Sequence, residues 1–149
     1  MQTVLSYELT KEVMATADIF LRESQRLFRP HGLTAAQFNV LNVLADAADG
    51  LSQRELGDIL VVDRSNITGL LDRLEKAGLV KRTDHPSDRR IYRVSLTPAG
   101  RRLWTKVDSL YRKVVAQVTA GLSDKQSRDT IIVLKSLQVG AASWRLPKN

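Results

Sequence analysis

The chain has 149 residues, 43% of them hydrophobic, a formal net charge of +7 and no cysteine. This length and apolar content fit one globular domain, or one domain with a dimerisation arm, and argue against a disordered chain. The lack of cysteine excludes disulfides, thiolate zinc sites and thiol chemistry; without a signal peptide or roughly 18 consecutive apolar residues, we expect a cytoplasmic protein with no membrane span.

The first predicted element is a long helix over residues 5–29. Proline cannot continue the helical hydrogen bonds and glycine accepts left-handed angles, so Pro30 and Gly32 end it. Its apolar residues recur at helical spacing, and a stripe this wide is typical of a core or a subunit interface. The stripe comprises Leu5, Leu9, Val13, Ala17, Phe20, Leu27 and Phe28.

Two capping boxes predict two more helices. Thr34 and Gln37 begin the first, and Ser52 and Glu55 begin a short one that ends near residue 60. In each box the two side chains satisfy backbone amides that the first turn leaves exposed. The residues predicted to face inward are Phe38, Val40, Leu41 and Leu44 in the first helix, and Leu56 and Ile59 in the second.

The next predicted helix covers residues 63–77 and has two unlike faces. Asp63 is its expected N-cap and Gly78 its stop. One face is apolar and is expected to be buried: Ile67, Leu70, Leu71 and Leu74. The other carries hydrogen-bonding groups with little bulk near its start: Arg64, Ser65, Asn66, Thr68, Gly69 and Arg73.

A change of period after Gly78 predicts a β-hairpin. Two strand-like segments, residues 79–83 and 90–96, flank a polar turn. Two helices follow, the first from Thr97 to Gly121 and the second from Ser123 through Leu137. The predicted fold class is therefore mainly α with a small β-hairpin, that is, α+β.

The order of these elements predicts a winged helix-turn-helix. Two short helices joined by a tight turn match a helix-turn-helix, although a generic pair of core helices has the same pattern. The basic hairpin that follows favours the first interpretation, because such a wing grips the DNA backbone and enters the minor groove. Residues 63–113 carry 13 Lys and Arg against six Asp and Glu, while the rest is neutral. This favours phosphate binding over a solvated basic face.

The chain also resembles a known family. Residues 34–100 are similar to the winged helix-turn-helix of the MarR family, the multiple antibiotic resistance regulators. The clearest match is the wing, where Asp88–Arg90 and Leu96–Gly100 follow the family's Asp-x-Arg and Leu-Thr-x-x-Gly patterns. The segment from Leu71 to Gly78 resembles the end of the family's recognition helix.

The resemblance implies that Arg90 inserts into the minor groove while Asp88 orients its guanidinium. A narrow minor groove focuses negative potential, and a guanidinium held by a carboxylate enters it already positioned. Arg89 competes for this role or contacts a phosphate. A solvated Asp–Arg pair is the alternative.

Residues 63–77 are the expected recognition helix. Arg64 is suited to guanine and Asn66 to adenine, and Ser65 and Thr68 to a phosphate or a thymine methyl. Gly69, which is costly in a helix interior, permits close approach either to DNA or to another helix. The expected phosphate contacts are Ser52, Gln53, Arg54 and Arg73, with a solvated surface as the alternative for both arginines.

Residues 1–33 and 101–149 are the expected dimerisation region, around the DNA-binding domain of residues 34–100. Their apolar stripes fit an intersubunit bundle, as in the family that the chain resembles. A two-fold dimer places its recognition helices about one DNA turn (~34–36 Å) apart, or a multiple, which predicts a pseudo-palindromic operator. The expected function is a homodimeric, sequence-specific repressor, because a dimer that covers a promoter commonly represses it.

Members of this family also commonly bind small aromatic or anionic effectors between the two regions. Arg29 and His31 either face such a crevice or are ordinary surface residues. We expect no cofactor, and no metal site because His31 and His85 are isolated.

Three other functions fit the sequence less well. An enzyme would need a phosphate-binding glycine loop, a metal motif or a catalytic triad, and none is present. A protein-interaction module would not need the concentrated charge. An RNA-binding module would expose aromatic rings, whereas Tyr92, Trp104 and Tyr111 are expected in the core.

Overall fold

The structure, a computed structural model, describes residues 2–60, 64–84 and 91–143. These ranges contain six α-helices, a 3-10 turn at Arg29–His31 and three strands, which confirms the predicted class. The helices are α1 Gln2–Phe28, α2 Ala35–Ala45, α3 Gln53–Leu60, α4 Arg64–Lys76, α5 Pro98–Val118 and α6 Asp124–Ser143; the strands are β1 Leu51–Ser52, β2 Val80–Asp84 and β3 Tyr92–Leu96. None of the helices described is long and apolar enough to span a membrane.

Local signals end α1 and begin α2 where the sequence predicts. Gly32 has φ 71°, the left-handed conformation that glycine accepts most readily. The Thr34 hydroxyl accepts the Gln37 N–H at 3.1 Å, and the Thr34 N–H donates to Gln37 Oε1 at 2.9 Å. The side chain of Gln25 in α1 bonds the backbone on both sides of Thr34. Gln25 therefore joins α1 to the start of α2 beside the capping box.

The three strands form one antiparallel sheet in the order β1-β3-β2. The predicted hairpin is present, with β2 and β3 paired over five residues each. The third strand, β1, was not predicted, because two residues are too few to show an alternating pattern. Gly50 precedes β1 with φ 71°, and a Cβ there would lie 2.5 Å from the carbonyl oxygen of Val94. Glycine thus lets the chain turn into the sheet at close range.

The core lies where the end of α1 and residues 103–111 of α5 meet α2, α3, α4 and the sheet. Three aromatic rings pack against one another there. The ring centroids of Phe28 and Phe38 are 4.4 Å apart, and the centroid of Tyr111 lies 5.6 Å from Phe28 and 5.4 Å from Phe38. The fully buried apolar residues are Phe28, Leu33, Phe38, Val40, Leu41, Leu44, Leu56, Ile67, Leu71, Leu74, Val80, Val94 and Val107.

One predicted core residue of α3 is on the surface. Ile59 is 54% exposed, so the prediction that it faces inward is wrong. The buried line of α3 runs from Leu56 to the half-buried Leu60, at a spacing of four residues. In a helix this short only one such line reaches the core, and Ile59 lies beside it.

The Leu-Thr-x-x-Gly segment joins α5 to the turn after α4. The Thr97 hydroxyl donates to the Gly78 carbonyl at 2.6 Å and accepts the Gly100 N–H at 3.0 Å. The Thr97 N–H donates to the Leu79 carbonyl oxygen at 3.0 Å. A Cβ on Gly100 would lie 1.9 Å from that same oxygen. Only glycine allows the first turn of α5 to pack this closely.

The chain forms two compact units, Met1–Tyr111 and Arg112–Asn149. The first contains α1 to α4, the sheet and most of α5. The second contains the last turns of α5 and the whole of α6. The predicted bounds of the DNA-binding and dimerisation regions, residues 34–100 and the flanking segments, stay a prediction.

Gly100→Ala is expected to lower the free energy of unfolding by about 1–3 kcal/mol, because the added methyl group must displace backbone rather than a flexible side chain. Urea unfolding measures the change. Ala99→Ser, at the exposed neighbouring position, is the control and is expected to stay within about 0.5 kcal/mol. Equal midpoints for the two variants would contradict the close packing.

Candidate nucleic-acid interface

Some of the predicted DNA contacts lie outside the part of the chain that the structure describes. The wing residues Asp88, Arg89 and Arg90 are among them, and the expected N-cap Asp63 also lies outside the described residues. The backbone of Arg64 and Ser65 forms the start of α4, but their side chains are not described. The described interface is therefore the rest of α4, the start of α3 and the two long strands.

The two faces of α4 are separated as the sequence predicts. Ile67, Leu71 and Leu74 are completely buried, while Asn66, Thr68 and Arg73 are exposed. Leu70 is half-buried at the border. The outer face is consequently polar and carries short side chains before Arg73, which suits a helix that enters the major groove.

Gly69 lies half-exposed on this outer face. No atom of the described residues is within 4 Å of a methyl group added there. Of the two interpretations that the sequence left open, packing against another helix within the chain is thus not observed among these residues. Close approach of a partner outside the chain stays a prediction.

A hydrogen bond joins the first turn of α3 to the outer face of α4. Ser52 and Glu55 form the predicted capping box, with N–H···O distances of 2.7 and 3.2 Å. The next residue, Gln53, donates from Nε2 to Thr68 Oγ1 at 2.5 Å. Two predicted DNA contacts, Gln53 and Thr68, are therefore held together in the free protein.

The two arginines predicted at the edges of the site are exposed. Arg54 lies 4.0 Å from Asp58, a distance at which an exposed ion pair contributes little to stability. Arg73 has no ion pair with any residue in the described ranges. Both guanidinium groups are available to an anionic partner.

Sequence reasoning missed a cluster of three charged residues between α4 and β2. Arg82 Nη2 lies 2.6 Å from Asp72 Oδ1, and Arg82 Nη1 donates to Glu75 Oε2. Burial disfavours the charged guanidinium, but hydrogen bonds and charge attraction from Asp72 and Glu75 outweigh it and raise the pKa of Arg82. The spacing of the two acidic residues, three apart on one helix, was the only local signal.

A second arginine of the basic segment is also occupied within the protein. Arg93 donates from Nε to the Asp49 carbonyl at 2.9 Å and from Nη2 to the Gly50 carbonyl at 2.6 Å. It holds β3 to the loop before β1. The charge excess of residues 63–113 therefore overstates the number of arginines that can reach phosphates.

One aromatic residue is not in the predicted place. Tyr92 is 54% exposed, so the expectation of a core position is wrong. Val94 and Leu96, on the same side of β3, lie over the core, whereas Tyr92 pairs with Asp84 nearer the hairpin tip, beyond the core's edge. Trp104 is half-buried and donates from Nε1 to Asn42 Oδ1 at 3.2 Å.

Comparison with known proteins agrees with this geometry. Residues 31–91 match the family model described as MarR family. The chain is 34% identical over 145 residues to the HTH-type transcriptional regulator TtmR of Methylorubrum extorquens, which covers 96% of this chain and 74% of the relative.

Two solved structures are similar over most of their length. CouR from Rhodococcus jostii, bound to p-coumaroyl-CoA, has a TM-score of 0.82 and 29% identity, covering 89% of this chain and 93% of CouR. A MarR mutant from Escherichia coli in complex with operator DNA has a TM-score of 0.79 and 28% identity, covering 87% and 93%. These similarities confirm the resemblance first seen in the wing motif and the prediction that the chain is not an enzyme.

Arg93→Ala is expected to lower the free energy of unfolding by about 1–2 kcal/mol, because two carbonyl groups lose a charged donor. Arg102→Ala removes the same charge from an exposed position of α5 and is expected to change stability by less than about 0.5 kcal/mol. Thermal unfolding followed by circular dichroism compares them. A loss of equal size in both would mean that charge, rather than the attachment of β3, causes it.

Proposed function

Since the chain belongs to the MarR family and is a transcriptional regulator of MarR type, we propose that it is a homodimeric repressor that binds double-stranded operator DNA. The solved MarR mutant in complex with operator DNA supports a DNA partner. Repression is the expected outcome because a dimer bound over a promoter excludes polymerase from it.

The outer face of α4 carries this proposal. Its inner side is fixed in the core by three completely buried residues, so its polar side must face outward. A polar helix face of this size fits the major groove, where each base pair presents a distinct set of donors and acceptors. We assign base or phosphate contacts to Arg64, Ser65, Asn66, Thr68, Gly69 and Arg73.

The proposal extends to the hairpin and to the start of α3. Arg90 is assigned to the minor groove, with Asp88 orienting its guanidinium and Arg89 on a phosphate or in the same groove. Ser52, Gln53 and Arg54 are assigned to phosphates, where contacts set position rather than sequence preference. The exposure of Arg54 and Arg73 supports a role for both toward the DNA backbone.

Exposed apolar side chains outside the winged domain support the homodimer. Leu5 and Tyr7 of α1 are each 72% exposed, and Val139 of α6 is 70% exposed. Large apolar side chains are seldom exposed to solvent along several successive turns of a helix. In a two-fold dimer, a second copy would bury the same side chains on both partners. Further exposed members are Val4, Met14, Ile19, Phe20, Leu21, Ile131, Ile132 and Val133.

A small effector belongs to the proposal as well. CouR is bound to p-coumaroyl-CoA in its solved structure. In this chain Arg29 is exposed and His31 half-buried in the 3-10 turn after α1, where they can meet an anionic group. An effector of this class would be recognised by the loss of operator affinity that it causes.

Selection from a random DNA pool is expected to return a pseudo-palindrome with half-sites about 10 base pairs apart, or a multiple.

The logarithm of affinity should fall linearly with the logarithm of salt concentration, because phosphate contacts release counterions. Arg90→Ala should weaken binding about tenfold or more with an unchanged circular dichroism spectrum. A flat salt response in gel-shift titration would count against DNA binding, and selected sites without symmetry against the dimer alone.

Gly69→Ala is expected to raise the free energy of unfolding of the free protein by about 1 kcal/mol, because alanine favours the helix and meets no neighbour. The same methyl group should weaken operator binding about tenfold by separating α4 from the groove. Asn39→Ala, at an exposed position of α2 to which no DNA or dimer contact is assigned, is the control: alanine favours the helix there too, so it should stabilise without a change in operator affinity. Unchanged operator affinity for Gly69→Ala would remove this residue from the interface.

A further inference from the structure

The hairpin is attached to α4 at two places along β2. The first is its base, where the Leu79 N–H donates to the Leu74 carbonyl at 2.9 Å and Val80 is buried. The second is Arg82, two residues closer to the hairpin tip. An element fixed at one place can rotate about it, whereas a second attachment fixes its angle.

The second attachment uses three donors of Arg82, its backbone N–H and both Nη atoms. Asp72 and Glu75 are three residues apart and lie on the same side of α4. The planar guanidinium of Arg82 reaches both carboxylates, one from each Nη atom. The Arg82 backbone N–H also donates to Glu75 Oε1 at 3.2 Å. Because β2 is an edge strand, this N–H has no strand partner, and Glu75 satisfies it.

The burial of the arginine and the geometry distinguish this cluster from ordinary surface ion pairs, although the side chains of Asp72 and Glu75 are 60% and 40% exposed. The Arg82 side chain is only 21% exposed. Two carboxylates on one guanidinium form charge-assisted hydrogen bonds with defined directions, which a lysine in the same place could not reproduce. The cluster therefore holds an orientation as well as a charge.

Beyond Arg82, the described part of β2 is free of α4. Thr83 and Asp84 are exposed, and the Thr83 hydroxyl donates within the hairpin, to the Arg93 carbonyl at 3.4 Å. Among the described residues no hydrogen bond or ion pair links either to α4. On the other side of the sheet, Arg93 attaches β3 to residues 49–50. Arg82 on β2 and Arg93 on β3 thus attach the hairpin to the rest of the domain at adjacent residue pairs of the sheet.

We propose that Arg82 is a positioning residue for operator binding: by bridging Asp72 and Glu75, it sets the angle between the hairpin and α4 so that both meet their grooves together. The inference rests on the proposed function, since it concerns how the two DNA-contacting elements are kept in register. A small error in that angle moves the hairpin end away from the groove while α4 stays in place.

The decisive variant is Asp72→Asn combined with Glu75→Gln. It removes two negative charges from the surface beside the proposed DNA site, a net change of +2, so electrostatics alone predicts tighter binding. Loss of the hairpin angle predicts the opposite, about tenfold weaker binding, the size of one lost groove contact. The two effects differ in sign, so a single titration separates them.

Footprinting on the selected operator shows which element has moved. Hydroxyl-radical protection reports the minor groove at the wing, and dimethyl sulfate protection reports guanines in the major groove at α4. For the double variant we expect wing protection to fall by at least about half while major-groove protection persists at saturating protein. Arg82→Lys, which keeps the charge without the planar fork, should be intermediate.

Asp84→Asn is the matched control, since it removes one carboxylate from the exposed end of the same strand. It should keep the footprint and at most tighten binding. Tighter binding of the double variant with an unchanged footprint would overturn the inference and leave the proposed function intact. Uniform loss of both protections with a lower melting temperature would mean a purely structural role and would also overturn it. No footprint with the unaltered chain would overturn both.

Discussion

Complete burial of Ile67, Leu71 and Leu74 fixes the rotation of α4 about its own axis. Rotating the helix to present another face would expose these three side chains, at about 2 kcal/mol each. The positions of Asn66 and Arg73 in solvent, and the alignment of Asp72 and Glu75 with β2, follow from that rotation. The core contacts of these three residues thus keep the outer face of α4 in one orientation, and the outer face needs few contacts of its own for this.

Local signals predicted most of the fold. Capping residues and helical spacing located α2, α3 and α5, because each signal is contained within a few residues of Thr34, Ser52 or Thr97. The errors share a cause. The strand β1 and the exposure of Ile59 and Tyr92 depend on how far the core extends. A short segment of sequence carries no information on that extent, because residues from distant parts of the chain form the core. The contacts of Arg82 and Arg93 join residues that are 7 to 44 positions apart.

The candidate site illustrates the same division. Sequence pattern found the outer face of α4 because amphipathicity is periodic. It could not tell a basic residue that faces phosphates from one that bridges two elements, since both read as positive charge. Arg73 is exposed, whereas Arg82 bridges α4 and β2, although both lie in the same basic segment. Net charge therefore indicates a segment suited to a polyanion better than it identifies which residues of that segment can contact one.

The hydrogen bond between Gln53 and Thr68 has a consequence for how such a regulator can diverge. A substitution at position 68, one of the DNA contacts proposed above, also removes an acceptor of the Gln53 amide, and a substitution at 53 removes one donor to the Thr68 hydroxyl. The effects of the two positions are then epistatic rather than additive. Operator preference would change along paths in which α3 and α4 are altered together, and scans of α4 alone would undersample the variants that function.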